Sequence, residues 1–563
     1  MSLILPALTI CVAGATLVYL WRQKWGRPST FLPPGPHRDP LIGNLRQMPS
    51  DKVPLIFHEW AKTYGDVMYL KVPGQAIVVL DSLRAAEDLL EKRSAIYSDR
   101  PKFPVYELFG WTCTLTMMPY GKKFSQYRQM HHSYLNREKC ADYKPMQLVE
   151  ARTLANNLLT LPWDQYENAL SRFATGVITQ IVAGHRIESE DDIYLRMSKM
   201  VLESLARAAQ VPAGTAIDFF PFLEHFPSWF PGTRYAQMAR EWRPTVRELH
   251  TFPVETVKKQ REEGVATPSF ILTHLDAVGT SSMTEEYEQD LQGNAAAMFT
   301  AVPVVSNLKE TEKTWGVLSV FLLAMVLYPD CQRKAQQEIE SVIGASRLPE
   351  FEDRAKLPYV ECIYEELFRW NPGVPLGRMV PDLSCIIFNS PRQRYHTGAC
   401  KTTHTAGCLY PQAPLSSPIS VHKLTFRRGM TLDPEIYSNP TEFVPERYLP
   451  QPIGMGEPHF SGKFGFGRRI CTGQYLAANS VWIAVATILA TCRITNAIDE
   501  KGEIIVPENA MTYGLMRYCI KFAFVLLLTR PDSHPVDFRC AIEPRTPQSK
   551  SLVMEGLHAE AEY

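Results

Sequence analysis

The stretch of sequence that decides the fold lies near the C-terminal end of the chain. It reads Phe464-Gly465-Phe466-Gly467-Arg468-Arg469-Ile470-Cys471-Thr472-Gly473. Glycines ahead of a cysteine let the backbone pass close to a flat ligand and leave amide groups free to point at the sulfur. An arginine beside them offers a fork of donors for a carboxylate. The loop therefore predicts a cysteine that serves a bound cofactor.

The residues after this loop support a reactive cysteine. Gln474 to Ala490 has a helical pattern, which places Cys471 just before the start of a helix. A helix N-terminus and the neighbouring Arg469 both favour a thiolate over a thiol. The alternative is a buried structural cysteine in a glycine-rich turn, the usual environment of a single cysteine. The spacing of phenylalanine, glycine, arginine and cysteine favours the ligand.

The loop resembles the cysteine signature of the cytochrome P450 family, and two upstream motifs agree with it. Glu366-Leu367-Phe368-Arg369 resembles the family's Glu-x-x-Arg helix, and Phe443 to Tyr448 resembles the segment that supplies Arg447. Taken alone, Glu-x-x-Arg is usually a surface pair on a helix. The resemblance implies that Glu366, Arg369 and Arg447 form a buried structural triad, because buried charges persist only when they are paired.

The resemblance implies a mainly α fold with small β-sheets and a haem b group whose iron is bound by Cys471. In the same loop, Phe464, Gly465, Gly473 and Arg469 would contact the haem. An anionic sulfur ligand favours O–O cleavage. The implied enzyme is thus a monooxygenase, which inserts one oxygen atom from O2 into a lipophilic substrate.

A second haem-contacting helix is indicated further upstream. Tyr120 to Arg128 resembles the family's Trp-x-x-x-Arg helix, so Arg128 would pair with a haem propionate. Phe124 stands where the family has tryptophan, which removes an indole donor and keeps the ring. Pro227 to Gly232 resembles fungal members, in particular the subgroup with O-methylsterigmatocystin oxidoreductase, and this indicates specialised metabolites such as steroids, terpenoids or polycyclic aromatics. Candidate pocket residues are Phe103, Val105, Phe109, Trp111, Ala297, Ala301 and Leu515.

The resemblance also implies redox partners. NADPH would supply electrons indirectly through a membrane-bound NADPH–cytochrome reductase, with cytochrome b5 as an optional second donor. The reductase would dock beside the cysteine loop, where Lys122, Lys123, Lys463 and Arg468 offer a basic face. The alternative is that these cations form an ordinary solvated surface.

The composition and the N-terminus define the setting of the enzyme. The 563 residues carry 59 basic and 59 acidic side chains, and this balance argues against nucleic acid as a partner. Leu3 to Leu20 is uncharged and just long enough to cross a bilayer, and Arg22, Lys24 and Arg27 follow it. A cleaved secretory signal would carry its positive charge before the apolar core. We therefore predict a single-pass anchor in the endoplasmic reticulum membrane with a cytosolic catalytic domain.

The predicted organisation has three parts. Residues 1–21 form the membrane anchor, 22–36 a basic and proline-rich connector, and 37–563 one haem-thiolate monooxygenase domain. Within that domain, residues 302–314, 379–428 and 518–532 depart from the family pattern and are predicted to be atypical insertions.

The first departure interrupts the central helix, where the family carries an acid and an alcohol that deliver protons to dioxygen. Alignment places Glu312 at the acid position and Lys313 where the threonine belongs, so Thr311 or Thr314 would have to replace the alcohol. Pro303 inside this helix costs about 3 kcal/mol. Because this acid–alcohol pair is disrupted, two functions are alternatives to a monooxygenase. One is a haem-binding protein without monooxygenase activity, and the other is a haem-thiolate isomerase or dehydratase.

The second departure is a polar stretch, and the third contains an apolar run. Residues 379–428 are polar and proline-rich, and the spacing of His396, Cys400, His404 and Cys408 invites a zinc site that lacks the usual turn chemistry. The apolar run in 518–532 is too short to span a membrane. Because the family pattern stops and recovers abruptly, our hypothesis is that these segments are retained introns or shifted exon junctions. Transcripts that encode all of them would refute it.

Overall fold

The computed structural model confirms a mainly helical chain with small sheets. It describes residues 32–40, 42–49, 52–72, 75–100, 104–111, 114–116, 118–162, 165–210, 226, 230, 234–278, 284–301, 316–372, 376–379, 420–509, 511–512, 534–535 and 538–561. The predicted anchor, most of the connector and the segment 302–314 therefore lie outside the described residues, as do residues 380–419 and 518–532.

The helices are α1 Val53–Tyr64, α2 Leu83–Ala86, α3 Pro104–Phe109, α4 Lys122–Leu135, α5 Lys139–Asp142, α6 Lys144–Thr160, α7 Tyr166–Ala183, α8 Ile193–Gln210, α9 Arg234–Glu262, α10 Phe270–Val278, α11 Glu285–Ala301, α12 Gly316–Leu327, α13 Pro329–Ile343, α14 Pro358–Trp370, α15 Arg427–Thr431, α16 Gln474–Thr491 and α17 Ser549–Ala561. Short 3-10 turns span Leu45–Gln47, Phe351–Lys356, Pro445–Tyr448, Ser461–Phe464 and Gly467–Arg469, and a π turn spans Glu87–Glu91. The predicted helix after Cys471 corresponds to α16.

The strands form one four-stranded sheet and two smaller ones. They are β1 Val67–Val72, β2 Gln75–Leu80, β3 Leu376–Met379, β4 Ser420–Phe426, β5 Cys492–Ile498, β6 Ile504–Ile505, β7 Met511–Thr512, β8 His534–Pro535 and β9 Cys540–Pro544. The larger sheet has the order β1-β2-β4-β3, and the others are β6-β5-β9 and β7-β8. Alternating residues in Val67 to Val72 and in Ala76 to Leu80, on either side of Pro73-Gly74, predict a pair of strands. The antiparallel pairing of β1 with β2 confirms this prediction.

The segment 379–428, although polar and proline-rich, contains a strand. Its C-terminal end forms β4, which pairs in parallel with β2 and antiparallel with β3. A strand placed between two partners gains its hydrogen bonds from both, so weak local alternation is sufficient there. The part of the segment without described structure is thus 380–419.

Apolar helices form the centre of the fold. Helix α12 is apolar on every side, and Leu318 to Val326 are all buried, as a helix without a polar face requires. Among the described residues, α16 is the one helix long and apolar enough to cross a membrane, and 56% of it is buried inside the protein. Gln147 of α6 donates to the Leu476 carbonyl oxygen of α16 at 3.0 Å, so α16 packs as a core helix. This packing fixes the residues just before α16.

Candidate haem site

Cys471 lies in a tight loop that is closed by backbone hydrogen bonding. The Cys471 N–H donates to the Phe464 carbonyl oxygen at 2.9 Å. Gly465 and Gly467 have φ values of 90° and 55°, a region that other residues rarely adopt. The glycines therefore let the chain turn back on itself before it enters α16.

Cys471 differs from the other cysteines that the structure describes. Its side chain is exposed. The buried ones are Cys140, Cys331, Cys362, Cys492 and Cys540. Burial raises the pKa of each buried thiol to about 11 or about 12. Since the thiolate is the form that binds a metal, Cys471 is the best-placed sulfur ligand in the described part of the chain.

Guanidinium groups gather at the same loop. Arg469 donates from Nε to the Ser98 carbonyl oxygen at 2.7 Å, and Arg128 donates from Nη1 to the Ile470 carbonyl oxygen at 2.8 Å. Burial, together with the positive charges of Arg100 and Arg128, lowers the pKa of Arg469 to about 9. Such crowding of like charges is relieved by a bound anion. The cluster therefore fits a ligand that carries carboxylates.

A buried ion network lies behind the loop. The side chains of Glu366, Arg369 and Arg447 have no solvent exposure. Arg369 donates from Nε and Nη2 to the two oxygens of Glu366, each at 2.7 Å. Arg447 donates from Nε to Glu366 at 3.0 Å and from Nη1 to Glu457 at 2.5 Å. The structure thus brings the predicted triad together and adds a second carboxylate, so that the charges balance.

Helix α14 connects this network to the cysteine loop. Glu365, next to Glu366, accepts a hydrogen bond from Lys463 at 2.5 Å. The rings of Phe368 and Phe464 lie 5.3 Å apart, centroid to centroid. Because one helix carries both the ion network and these loop contacts, a change in the network would move the loop.

Comparison with known proteins decides the family. The sequence model described as Cytochrome P450 matches residues 33–384 and 424–516. The chain belongs to the cytochrome P450 family. It is 32% identical over 565 residues to cytochrome P450 monooxygenase 176 of Postia placenta, with 99% of each chain covered. It is 31% identical over 557 residues to cytochrome P450 monooxygenase COX2 of Coprinopsis cinerea, covering 97% of this chain and 95% of that protein.

A cytochrome P450 monooxygenase of Armillaria gallica gives a similar result, with 30% identity over 550 residues, 97% of this chain and 98% of that protein. This P450 is therefore an oxidoreductase, a haem-thiolate monooxygenase in general terms. Within the described residues, no group of His, Cys, Asp and Glu could hold a separate metal ion. The residues considered for zinc, His396, Cys400, His404 and Cys408, lie outside the described residues.

The arginine cluster of this P450 stacks on an aromatic ring. The guanidinium carbons of Arg469 and Arg128 lie 3.8 and 5.9 Å from the ring centroid of Phe124. A cation over an aromatic face is held electrostatically. Phe124 thus positions both arginines, although it lacks the indole donor expected at this position of the family. Arg100, the third cation, was not predicted, because nothing in its local sequence marks it.

The structure describes the chain on both sides of residues 302–314, the segment predicted to interrupt the central helix. Helix α11 ends at Ala301 and α12 begins at Gly316, so Glu312, Thr311 and Thr314 lie outside the described residues. Of the pocket candidates, Phe109, Trp111 and Ala297 are buried. Val105 and Ala301 lie in α3 and α11, while Phe103 and Leu515 fall outside the described residues.

The basic face is partly neutralised. Lys123 forms an ion pair with Asp290 at 2.7 Å, and Lys463 pairs with Glu365. Arg468 donates to the hydroxyl of Tyr120. The predicted basic face therefore contains cations that are already paired within the protein.

Gly467→Ala is expected to lower haem content at least tenfold. An added Cβ would lie 2.0 Å from the Leu90 carbonyl oxygen, and φ is +55°. The backbone would have to move to relieve this contact. An alanine in the left-handed region also destabilises the fold by about 1 kcal/mol. Haem content per protein, measured by pyridine haemochrome absorbance, checks this.

The matched control is Gly344→Ala, at φ +82° with nothing within 4 Å of the added Cβ. It shares the left-handed strain without the collision. Equal haem content in both variants and the unchanged protein would contradict the role of the close approach.

Proposed function

We propose that Cys471 would hold the iron of haem b in this P450 through its thiolate. Arg128 and Arg469 would bind the haem carboxylates, and Phe464, Gly465 and Gly473 would contact the haem. The observation that carries the proposal is the exposed Cys471 beside a cluster of arginines, in a loop otherwise fixed by buried contacts. The haem supplies oxygen activation, and the anionic sulfur favours O–O cleavage.

The proposal extends to electrons, substrate and location. NADPH delivers electrons through a membrane-bound reductase, with cytochrome b5 as an optional donor, and one oxygen atom of O2 enters a lipophilic specialised metabolite. Residues 1–21 anchor the enzyme in the endoplasmic reticulum membrane, and residues 37–563 form the cytosolic domain. Residues 22–36 connect the anchor to this domain. Uncharged residues followed by basic ones support this orientation. Glu312 with Thr311 or Thr314 supplies protons for the reaction.

The test reconstitutes the full chain with NADPH–cytochrome reductase in lipid vesicles under ¹⁸O2. A panel of steroids, terpenoids and polycyclic aromatics is offered, and products are analysed by mass spectrometry. We expect a product with one ¹⁸O atom, formed only with NADPH. Haem binding without any turnover would support the inactive alternative, and turnover without NADPH or O2 would support the isomerase or dehydratase.

A further inference from the structure

A small apolar pocket lies between helices α8, α9 and α11. Its walls include Trp111, Tyr194 and Ser198, and Ala296 and Phe299 of α11. None of the described residues that line it is charged. Helix α11 leads directly into the atypical segment of the central helix. The pocket thus lies where an uncharged, mostly apolar molecule would meet that helix.

Two residues that line this pocket each carry a buried polar atom with no hydrogen-bond partner within the described residues. These atoms are the indole Nε1 of Trp111 and the hydroxyl oxygen of Tyr194. Trp111 is 1% exposed and Tyr194 is 3% exposed. Buried polar atoms are nearly always hydrogen-bonded, so a partner is expected from elsewhere. By contrast, the Ser198 hydroxyl already donates to the Leu195 carbonyl oxygen at 3.0 Å.

Ring contacts hold both side chains in place. The Trp111 ring lies 5.2 Å from the His250 ring, and the Tyr194 ring stacks on Phe299 at 5.6 Å with an interplanar angle of 23°. Rotating either group toward another partner would break this packing. Both side chains therefore keep their positions in the pocket wall.

We propose that Trp111 and Tyr194 determine specificity by donating hydrogen bonds to an oxygen acceptor, a carbonyl above all, on an otherwise apolar substrate. The inference rests on the proposed function, because it takes this pocket as part of the substrate site. It narrows the lipophilic substrates to those that carry a neutral carbonyl.

The chemistry of the two groups sets the required ligand. An indole N–H can only donate, and a tyrosine hydroxyl donates while it is protonated. Burial raises the pKa of Tyr194, which keeps its proton at neutral pH. Because the described lining offers no cation, a carboxylate would be left unpaired, whereas a neutral carbonyl has two lone pairs and little desolvation cost.

The test measures dissociation constants of 1-tetralone and tetralin for the haem-loaded full chain by isothermal titration calorimetry. These probes differ only in a carbonyl in place of a methylene. We expect the unchanged protein to bind the ketone about five- to tenfold more tightly. In Tyr194→Phe and in Trp111→Phe the ketone preference should fall about fivefold. Using the ratio cancels losses of apolar packing that affect both probes.

The matched control is Ser198→Ala, which removes a hydroxyl of the same pocket that is already satisfied by the protein. Its ketone preference should equal that of the unchanged protein, even if both affinities shift. Equal binding of the two probes, an unchanged ratio in both phenylalanine variants, or no binding of either probe would overturn the inference.

The reduced, carbon-monoxide spectrum of the same samples separates this inference from the proposed function. Ketone preference without a thiolate-type band would overturn the haem-thiolate proposal alone. A thiolate-type band without ketone preference would overturn only the role of Trp111 and Tyr194.

Discussion

Cys471→Ala is expected to abolish the red-shifted Soret band of the reduced, carbon-monoxide-bound protein while the fold survives. The change removes one sulfur atom from an exposed side chain, and the loop-closing bond from the Cys471 N–H to Phe464 belongs to the backbone. Surface substitutions of this kind usually alter stability by less than about 0.5 kcal/mol. The loss would therefore report the iron ligand and not unfolding. Far-UV circular dichroism and thermal melting of the same sample verify the fold.

A buried cysteine provides the matched control for this experiment. Cys140 has no solvent exposure, and burial raises the pKa of its thiol to about 11. Cys140→Ala should keep the thiolate-type band, although its small cavity costs about 1 kcal/mol of stability. A full band in the Cys471 variant would show that another group binds the iron. Loss of the band in both variants would show that this loss does not distinguish the iron ligand from a core cysteine.

The sequence was sufficient for features that short motifs encode. The β1–β2 hairpin follows from alternation around a Pro-Gly turn, and α16 follows from the apolar pattern after Cys471. The contact between Glu366 and Arg369 is a local i,i+3 pair, so it could be anticipated on a helix. Family resemblance then brought in Arg447, which is distant along the chain.

Other features depend on chain segments that meet only in three dimensions. Glu457 completes the charge balance of the ion network through Arg447, but its own sequence shows no motif. Strand β4 forms because β2 and β3 pair with it on either side. The atoms of Trp111 and Tyr194 that lack a partner among the described residues could be identified only once those residues had been placed. Sequence patterns specify local structure, whereas hydrogen-bond satisfaction is a property of the packed interior.

The family comparison bears on the atypical segments. The match omits residues 385–423 but runs through 302–314 without a break, and it ends at 516. Strand β3 ends at Met379, before the omitted stretch, and β4 begins at Ser420, within its last four residues. An insertion between two paired strands leaves their register intact, because only the connection grows longer. Residues 385–419, which lie outside the family match and before β4, can therefore be extra to the family pattern without disturbing the sheet.

Glu366→Gln is expected to lower the free energy of unfolding by about 3–5 kcal/mol, because it leaves buried guanidinium groups with too little negative charge. Glu366 accepts hydrogen bonds from Arg369, Arg447, the Val444 N–H and the Tyr448 hydroxyl. Glutamine keeps the volume but offers one acceptor oxygen and no charge. Urea unfolding followed by tryptophan fluorescence measures the change. Since α14 also holds the cysteine loop, haem content should fall in parallel.

Glu361→Gln, on the same helix, separates the effect of burial from that of charge. Glu361 accepts two hydrogen bonds of 2.8 Å from Arg354, yet the two side chains remain 31% and 27% exposed. Partly solvated pairs contribute less than about 1 kcal/mol, so this variant should unfold close to the unchanged protein. If both variants lost the same stability, the large effect at Glu366 could not be attributed to burial of its charge. A loss of both stability and haem content that is confined to the Glu366 variant would show that the cysteine loop depends on the buried charge of Glu366.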